Sequence, residues 1–145
     1  MTAQARRILL AEDDRFLRKA AETTLRRHGF EVLTAVDGEE ALRIIQQEAP
    51  DLILLDLIMP KMQGFEVLKS VKADPATAGI PVIILSNLGQ DRDVDRALES
   101  GAAAYLIKAN LSLEDLVKQV RQTLGMSPAP TPAAAPPRVG LWAKR

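Results

Sequence analysis

Five short apolar runs, each separated from the next by a longer stretch with helical spacing, leave this 145-residue chain few possible architectures. Most of the runs are continuous rather than alternating, which is typical of strands buried on both faces of a parallel sheet. The runs span residues 8–11, 31–35, 52–55, 82–85 and 104–107. The pattern predicts an α/β fold in which five parallel strands alternate with five helices.

Helix signals fill the intervals between the apolar runs. Asp13 or Asp14 can cap the first helix, and Gly29 can end it. Ser112 starts the last helix, and Gly125 ends it. Ligands of such folds bind beyond the carboxyl ends of the strands, so we expect the polar chemistry at that edge of the sheet.

Composition excludes several classes of function. Lys plus Arg number 19, as do Asp plus Glu, so the zero net charge gives no general attraction to nucleic acid or to an anionic membrane. The chain has no cysteine, which excludes disulfides, thiolate metal sites and thiol catalysis. The sequence contains neither a membrane-helix stretch of roughly 20 apolar residues nor a signal peptide. We expect a cytoplasmic protein without membrane or nucleic-acid partners.

The composition changes at Met126. Five of the nine prolines lie between residues 128 and 137, so we predict a domain at 1–125 and a Pro/Ala-rich, extended or disordered tail at 126–145. The domain holds 16 basic and 19 acidic residues, a net charge of −3, and the tail has three basic residues and no acid. A sharper alternative is that Leu141 and Trp142 dock in an apolar groove of this chain or of a partner. A tail of this kind cannot form a helix-turn-helix domain for DNA.

Carboxylates gather where two of the predicted strands end. Glu12, Asp13 and Asp14 follow the first apolar run, and Asp56 follows the third. If these strands are neighbours, the carboxylates meet at one edge of the sheet, where like charges raise each other's pKa. Mg²⁺ prefers oxygen ligands and would relieve this repulsion. The sequence therefore predicts a metal-assisted site around Asp56.

Four motifs, taken in order, resemble the receiver domain of two-component response regulators, of the kind seen in a single-domain chemotaxis regulator. They are residues 8–14, residues 56–60, Ser86 and Lys108. Each motif alone is weak, but all four stand at strand ends. The resemblance covers about residues 6–125 and implies a flavodoxin-like, doubly wound sheet with the strand order 2-1-3-4-5.

The resemblance also implies a role for each of these residues. Asp56 would take a phosphoryl group from a phosphohistidine of a sensor histidine kinase or a phosphotransfer protein. Lys108 would pair with one phosphoryl oxygen, and Ser86 would donate its hydroxyl to another. The ligands of Mg²⁺ would be Glu12 through water, Asp13 directly, Asp56, and the backbone carbonyl of Ile58.

Ser86 and Tyr105 would form the switch. On phosphorylation Ser86 would move toward the phosphoryl group, and Tyr105 would turn inward into the vacated space. The face made by the fourth helix, fifth strand and fifth helix would then bind a downstream protein. A half-buried core aromatic is the alternative for Tyr105. The chain would be a monomer or weak dimer and not an enzyme, since it would catalyse only its own phosphoryl transfer and dephosphorylation.

Three departures from the family pattern bear on this interpretation. Ala109 replaces the usual proline after Lys108, which favours a trans peptide bond and a looser loop. Asn87 stands where a small residue is common. Ile58 and Leu88 are apolar at two positions whose side chains could orient a hydrolytic water. We therefore expect a long-lived phosphoryl group.

Other functions were weighed against the phosphorylation switch. An aspartyl-nucleophile phosphatase would need a second carboxylate where Ile58 stands. A flavin or dinucleotide protein would need a glycine loop, and no Gly-x-Gly pair occurs among the eight glycines. A receiver-like interaction module that is never phosphorylated stays as the alternative, which the complete set of acids, serine and lysine disfavours. Mg²⁺ binding discriminates between the two.

Overall fold

The computed structural model describes residues 5–87, 91–126 and 141–143, and its elements follow the predicted alternation. The parallel strands are β1 (Arg7–Ala11), β2 (Glu31–Ala35), β3 (Leu52–Asp56), β4 (Val82–Ser86) and β5 (Ala104–Ile107). The helices are α1 (Arg15–Arg27), α2 (Gly38–Glu48), α3 (Gly64–Ala73), α4 (Asp91–Glu99) and α5 (Leu113–Thr123), and a 3-10 turn spans Lys108–Asn110. The bounds of every predicted strand agree with these to within one residue.

The five parallel strands form a sheet in the order β2-β1-β3-β4-β5, which confirms the predicted flavodoxin-like topology. β1 pairs with β2 on one side and with β3 on the other. The chain therefore reverses its direction of travel across the sheet between β1 and β3, and the carboxyl ends of these two strands lie side by side. Ligand sites of doubly wound sheets lie at such a reversal.

A sixth strand, β6 (Leu141–Ala143), pairs antiparallel with β5 and extends the sheet beyond its predicted edge. In the register of this pair, Ala104 lies opposite Ala143, Tyr105 opposite Trp142, and Leu106 opposite Leu141. The sequence favoured an extended or disordered tail, with docking of Leu141 and Trp142 in an apolar groove as the alternative, and pairing of this segment as a strand was not expected.

The core has two halves, one on each face of the sheet. One half packs the apolar faces of α2, α3 and α4 against strand residues that include Leu9, Ile53 and Tyr105. The other packs α1 and α5 against the alternate strand residues, such as Leu10 and Leu54. All five residues of β3 are buried, which explains why its sequence reads as a continuous apolar run.

Side-chain caps fix the starts of the helices. The Asp14 carboxylate accepts hydrogen bonds from the backbone N–H groups of Phe16 and Leu17, so it caps α1, as predicted. Ser112 and Asp115 form a reciprocal capping box at the start of α5. In the described part of the chain, no helix is long and apolar enough to cross a membrane.

Gly64 lies where α3 begins against the end of β3. A Cβ atom at this position would collide with the backbone carbonyl oxygen of Asp56 and with Cα of Leu57. The Gly64 N–H donates to the Leu57 carbonyl at 2.9 Å. The loop that follows Asp56 therefore folds back against the end of β3 closely enough to require glycine at position 64.

We predict that Gly64→Ala destabilises the fold by about 1–3 kcal/mol, because the added methyl group displaces the backbone at the end of β3. Gly79→Ala is the matched control, since a Cβ there meets no atom within 4 Å and its stability should change by less than about 0.5 kcal/mol. Urea unfolding of the two variants measures the difference. Equal stabilities would show that the close approach at Gly64 is not required.

Candidate functional site

Four functional side chains meet at the carboxyl edge of the sheet because each stands where a strand ends. Glu12 follows β1, Asp56 ends β3, Ser86 ends β4, and Lys108 follows β5. The pairing of β1 with β3 sets Ala11 opposite Leu55, which brings the next residues, Glu12 and Asp56, close together. The structure thus places side by side the residues that the sequence predicted at this edge.

Lys108 joins the two buried carboxylates. Its Nζ atom lies 2.6 Å from Glu12 Oε1 and 2.9 Å from Asp56 Oδ2. The Glu12 side chain is 0% exposed, that of Asp56 is 6% exposed, and that of Lys108 is 15% exposed. Ion pairs so far removed from water are screened little by salt.

Burial is the largest influence on the ionisation of Glu12. It raises the pKa of Glu12 to about 7, although hydrogen bonds from Lys108 and from the Asp14 N–H act in the opposite direction. The negative charge of Asp56 adds to the rise. Burial also opposes the charged form of Lys108, but its contacts with Glu12 and Asp56 outweigh that effect and raise the pKa of Lys108. The ammonium therefore stays charged.

The acids at this edge suit a divalent cation. Carboxylate oxygens of Glu12, Asp13 and Asp56 all lie within 4.8 Å of one another. When ionised, these three carboxylates and the Lys108 ammonium carry a net charge of −2, which a divalent cation would balance. All the donors are carboxylate oxygens, the ligands that Mg²⁺ prefers, and Asp13 is exposed to solvent. The residues present therefore fit Mg²⁺.

Ser86 and Tyr105 are both fully buried beside this cluster. Their side chains share a hydrogen bond, which partly offsets the rise that burial causes in the Tyr105 pKa. The pairing of β4 with β5 sets Ile84 opposite Tyr105 and Ser86 opposite Ile107. Because Tyr105 is 0% exposed, its side chain lies inward, which is the orientation that the resemblance implies for the switched state.

The described positions that depart from the family pattern each follow the carboxyl end of a strand. Ile58 is 56% exposed, and its backbone N–H donates to Asp56 Oδ1 at 3.1 Å, while its carbonyl stays a predicted ligand. Asn87 is exposed, and Leu88 lies outside the described residues. Ala109 lies within the 3-10 turn, and no cis peptide bond occurs among the described residues. The peptide bond between Lys108 and Ala109 is therefore trans, as predicted, and the lysine loop begins with a 3-10 turn.

Residues 8–121 match the family model for the response regulator receiver domain. The chain belongs to this family. Its similarity to solved receivers extends over the whole domain. It shares 31% identity and a TM-score of 0.78 with a Francisella response regulator receiver domain, covering 83% of this chain and 97% of that one. It shares 30% identity and a TM-score of 0.76 with the chemotaxis response regulator CheY4 of Vibrio cholerae, covering 81% of this chain and 98% of that one.

Curated relatives carry the receiver within longer chains. The receiver is 42% identical over 118 residues to a gliding motility regulatory protein of Myxococcus xanthus, which is 81% of this chain and 15% of that protein. The chain is 38% identical over 131 residues to a probable transcriptional regulator, ycf27, of Cyanophora paradoxa. This match covers 90% of this chain and 53% of that protein. The chain thus spans about half or less of the length of these relatives.

Arg18 contacts the loop that carries Glu12 and Asp13, a role that the sequence analysis did not predict. Its Nη1 atom donates to the backbone carbonyl of Glu12 at 2.9 Å and lies 3.4 Å from that of Asp13. This contact holds in place the loop that presents both acids. The available signal was its position one helical turn after Asp14, the residue that caps the same helix.

We predict opposite effects for the two neighbouring acids of this loop. Asp13→Ala should weaken Mg²⁺ binding about tenfold or more, because its carboxylate belongs to the cluster, and should leave stability nearly unchanged. Asp14→Ala should cost about 1 kcal/mol of stability through loss of the α1 cap, with Mg²⁺ affinity retained. Calorimetric Mg²⁺ titration and thermal unfolding of both variants test this division. Equal losses of affinity would contradict it.

Proposed function

We propose that the chain is a phosphorylation-activated response regulator that accepts a phosphoryl group on Asp56 from the phosphohistidine of a sensor histidine kinase or a phosphotransfer protein. The observation that supports this most is the Asp56 carboxylate, which is buried yet lies 2.9 Å from the Lys108 ammonium and within 4.8 Å of the Asp13 and Glu12 oxygens. A carboxylate placed in this way is a nucleophile whose surroundings suit the charge of a phosphoryl group.

Phosphoryl transfer asks the protein mainly for position and charge neutralisation. In the proposed reaction an Asp56 oxygen forms a bond to phosphorus while the P–N bond of the phosphohistidine breaks, and the imidazole takes the bonding electron pair. Lys108 already lies against Asp56, so its charge balances part of the negative charge that arrives. Bound Mg²⁺, held by Glu12, Asp13 and Asp56, would supply further positive charge to the phosphoryl oxygens.

The switch would follow from the hydroxyl of Ser86. Phosphorylation adds roughly −1.5 to −2 charge and three acceptor oxygens at Asp56. Ser86 shares a hydrogen bond with Tyr105, so a move of its hydroxyl toward a phosphoryl oxygen changes that bond. We propose that the change reaches a downstream protein through the face of α4, β5 and α5.

Several relatives are transcriptional regulators, and one, RpaA of Synechocystis, is described as DNA-binding. This chain matches 48% of the length of RpaA, so DNA binding is said of that protein alone. Our proposal for this chain is protein-mediated output without nucleic acid, as a monomer or weak dimer in the cytoplasm. It is not an enzyme on a separate substrate.

Asp56→Asn should abolish phosphorylation, because an amide is not a carboxylate nucleophile, and should preserve the fold because the two side chains are nearly isosteric. The matched control is Asp51→Asn, at the opposite end of the same strand, where the side chain accepts a hydrogen bond from the Arg7 N–H. Intact-mass measurement after incubation with Mg²⁺ and acetyl phosphate gives the result. Equal incorporation into the Asp56 variant would reject the proposal, and equal loss in both variants would reject Asp56 as the specific acceptor.

Ile58→Asn should speed the loss of the phosphoryl group severalfold, because the exposed apolar side chain beside Asp56 orients no water and an amide can. Val36→Asn is the control, since Val36 is another exposed apolar residue just beyond the carboxyl end of a strand. The decay of phosphorylated protein after removal of the donor measures the rate. Unchanged or slower decay in the Ile58 variant would contradict the explanation of a long-lived phosphoryl group.

A further inference from the structure

The β5 strand would be the edge of the sheet if the parallel strands stood alone. All four of its residues, Ala104 to Ile107, are buried, and β4 covers only one of its two hydrogen-bonding sides. The other side carries backbone N–H and C=O groups that any extended segment can pair with. In this chain β6 occupies that side.

The segment that pairs with β5 comes from the far end of the chain. Fourteen residues, 127–140, join Met126 to Leu141. A chain of that length reaches at most about 46–50 Å, which is more than the diameter of a domain of this size. A tether so short in sequence keeps its end at an effective concentration of about a millimolar near the domain. A three-residue strand that would pair weakly from free solution can therefore pair within its own chain.

Charge favours the same contact. The domain at 1–125 has a net charge of −3, and the residues flanking β6 include Arg138, Lys144 and Arg145 with no acid in the tail. Opposite charges on the two parts attract each other over about 10 Å at moderate ionic strength. The tail is thus drawn toward the domain rather than repelled from it.

We propose that Leu141–Ala143 protects the edge of the sheet: this strand pairs with β5 of its own chain and thereby prevents β5 from pairing with a second copy of the protein. Two unshielded β5 edges could pair antiparallel about a two-fold axis, since an edge strand is complementary to itself. The proposal goes beyond phosphorylation and does not depend on it. It gives the basic end of the tail a structural role that its composition alone does not reveal.

The test uses the full-length chain with two adjacent prolines in β6, Trp142→Pro combined with Ala143→Pro. Successive residues of an antiparallel pair alternate between hydrogen-bonded and non-bonded positions, so at least one of the two prolines removes a donor that faces β5. The matched control, Ala133→Pro combined with Ala134→Pro, places two adjacent prolines in the segment that joins the domain to β6. Both variants and the parent chain are studied without Mg²⁺ or a phosphoryl donor.

Backbone amide exchange of β5 is the first measurement. At a protein concentration low enough to keep the β6 variant monomeric, its β5 amides that face β6 should exchange at least about tenfold faster than in the parent and the control, with β1 and β3 amides unchanged. Equal exchange in all three proteins would overturn the pairing. Protection in the parent that increases with protein concentration would also overturn it, because β6 of a second copy would then be the occupant.

Sedimentation velocity is the second measurement. The β6 variant should associate to dimers at protein concentrations where the parent and the control are monomers. A variant with unprotected β5 amides that stays monomeric would overturn the shielding role. Because no phosphoryl transfer is involved, failure here leaves the proposed function of Asp56 standing, and failure of Asp56 phosphorylation leaves this inference standing.

Discussion

The Lys108 ammonium between two buried carboxylates is the contact on which the rest of this site depends. Glu12 and Asp56 lie where water is nearly absent, and their charges would repel each other without a cation between them. Lys108 follows β5, Glu12 follows β1, and Asp56 ends β3, so a single side chain connects three strands at one edge of the sheet. The residual charge of the cluster is still negative when all three acids are ionised, which suits Mg²⁺. A phosphoryl group is itself anionic, so its approach would depend on the positive charges of Lys108 and of bound Mg²⁺.

The arrangement follows from the sheet topology. The reversal between β1 and β3 brings their carboxyl ends together, and Gly64 lets the following helix start directly against Asp56. Asp14 and Arg18 then hold the loop that presents Glu12 and Asp13, one by capping α1 and the other by binding two carbonyl oxygens. The surrounding backbone and the neighbouring side chains thus fix the position of the Asp56 carboxylate.

Much of this could be read from the sequence, and the reasons are physical. Strands covered on both faces leave continuous apolar runs, so all five parallel strands were predicted to within one residue. Because parallel strands end at the same edge of a sheet, the sequence also predicted that the strand-end acids would lie close to Ser86 and Lys108. Arg18 was not predicted, since its position one helical turn after Asp14 does not by itself show that its side chain binds a carbonyl. The strand β6 was missed because three residues carry no periodicity, and their pairing depends on an edge that exists only after the sheet has formed.

The β6 strand also connects the tail to the functional site. It pairs with β5, the strand that carries Tyr105 and that is followed directly by Lys108. The Tyr105 side chain in turn shares a hydrogen bond with Ser86. A change at the carboxyl edge and a change at the β5 edge therefore act on the same four-residue strand. Pairing with β6 therefore restrains the backbone of the strand that leads into Lys108.

The most direct test of the central claim is a map of backbone amide shifts on addition of Mg²⁺ and then of beryllofluoride, which stands in for the phosphoryl group. Mg²⁺ alone should shift the amides of the residues around Glu12, Asp13 and Asp56. Beryllofluoride should then shift Ser86, Tyr105 and Lys108 as well. No shift with Mg²⁺, or beryllofluoride shifts that avoid the ends of β3, β4 and β5, would contradict the assignment of this edge as a phosphoryl-accepting site.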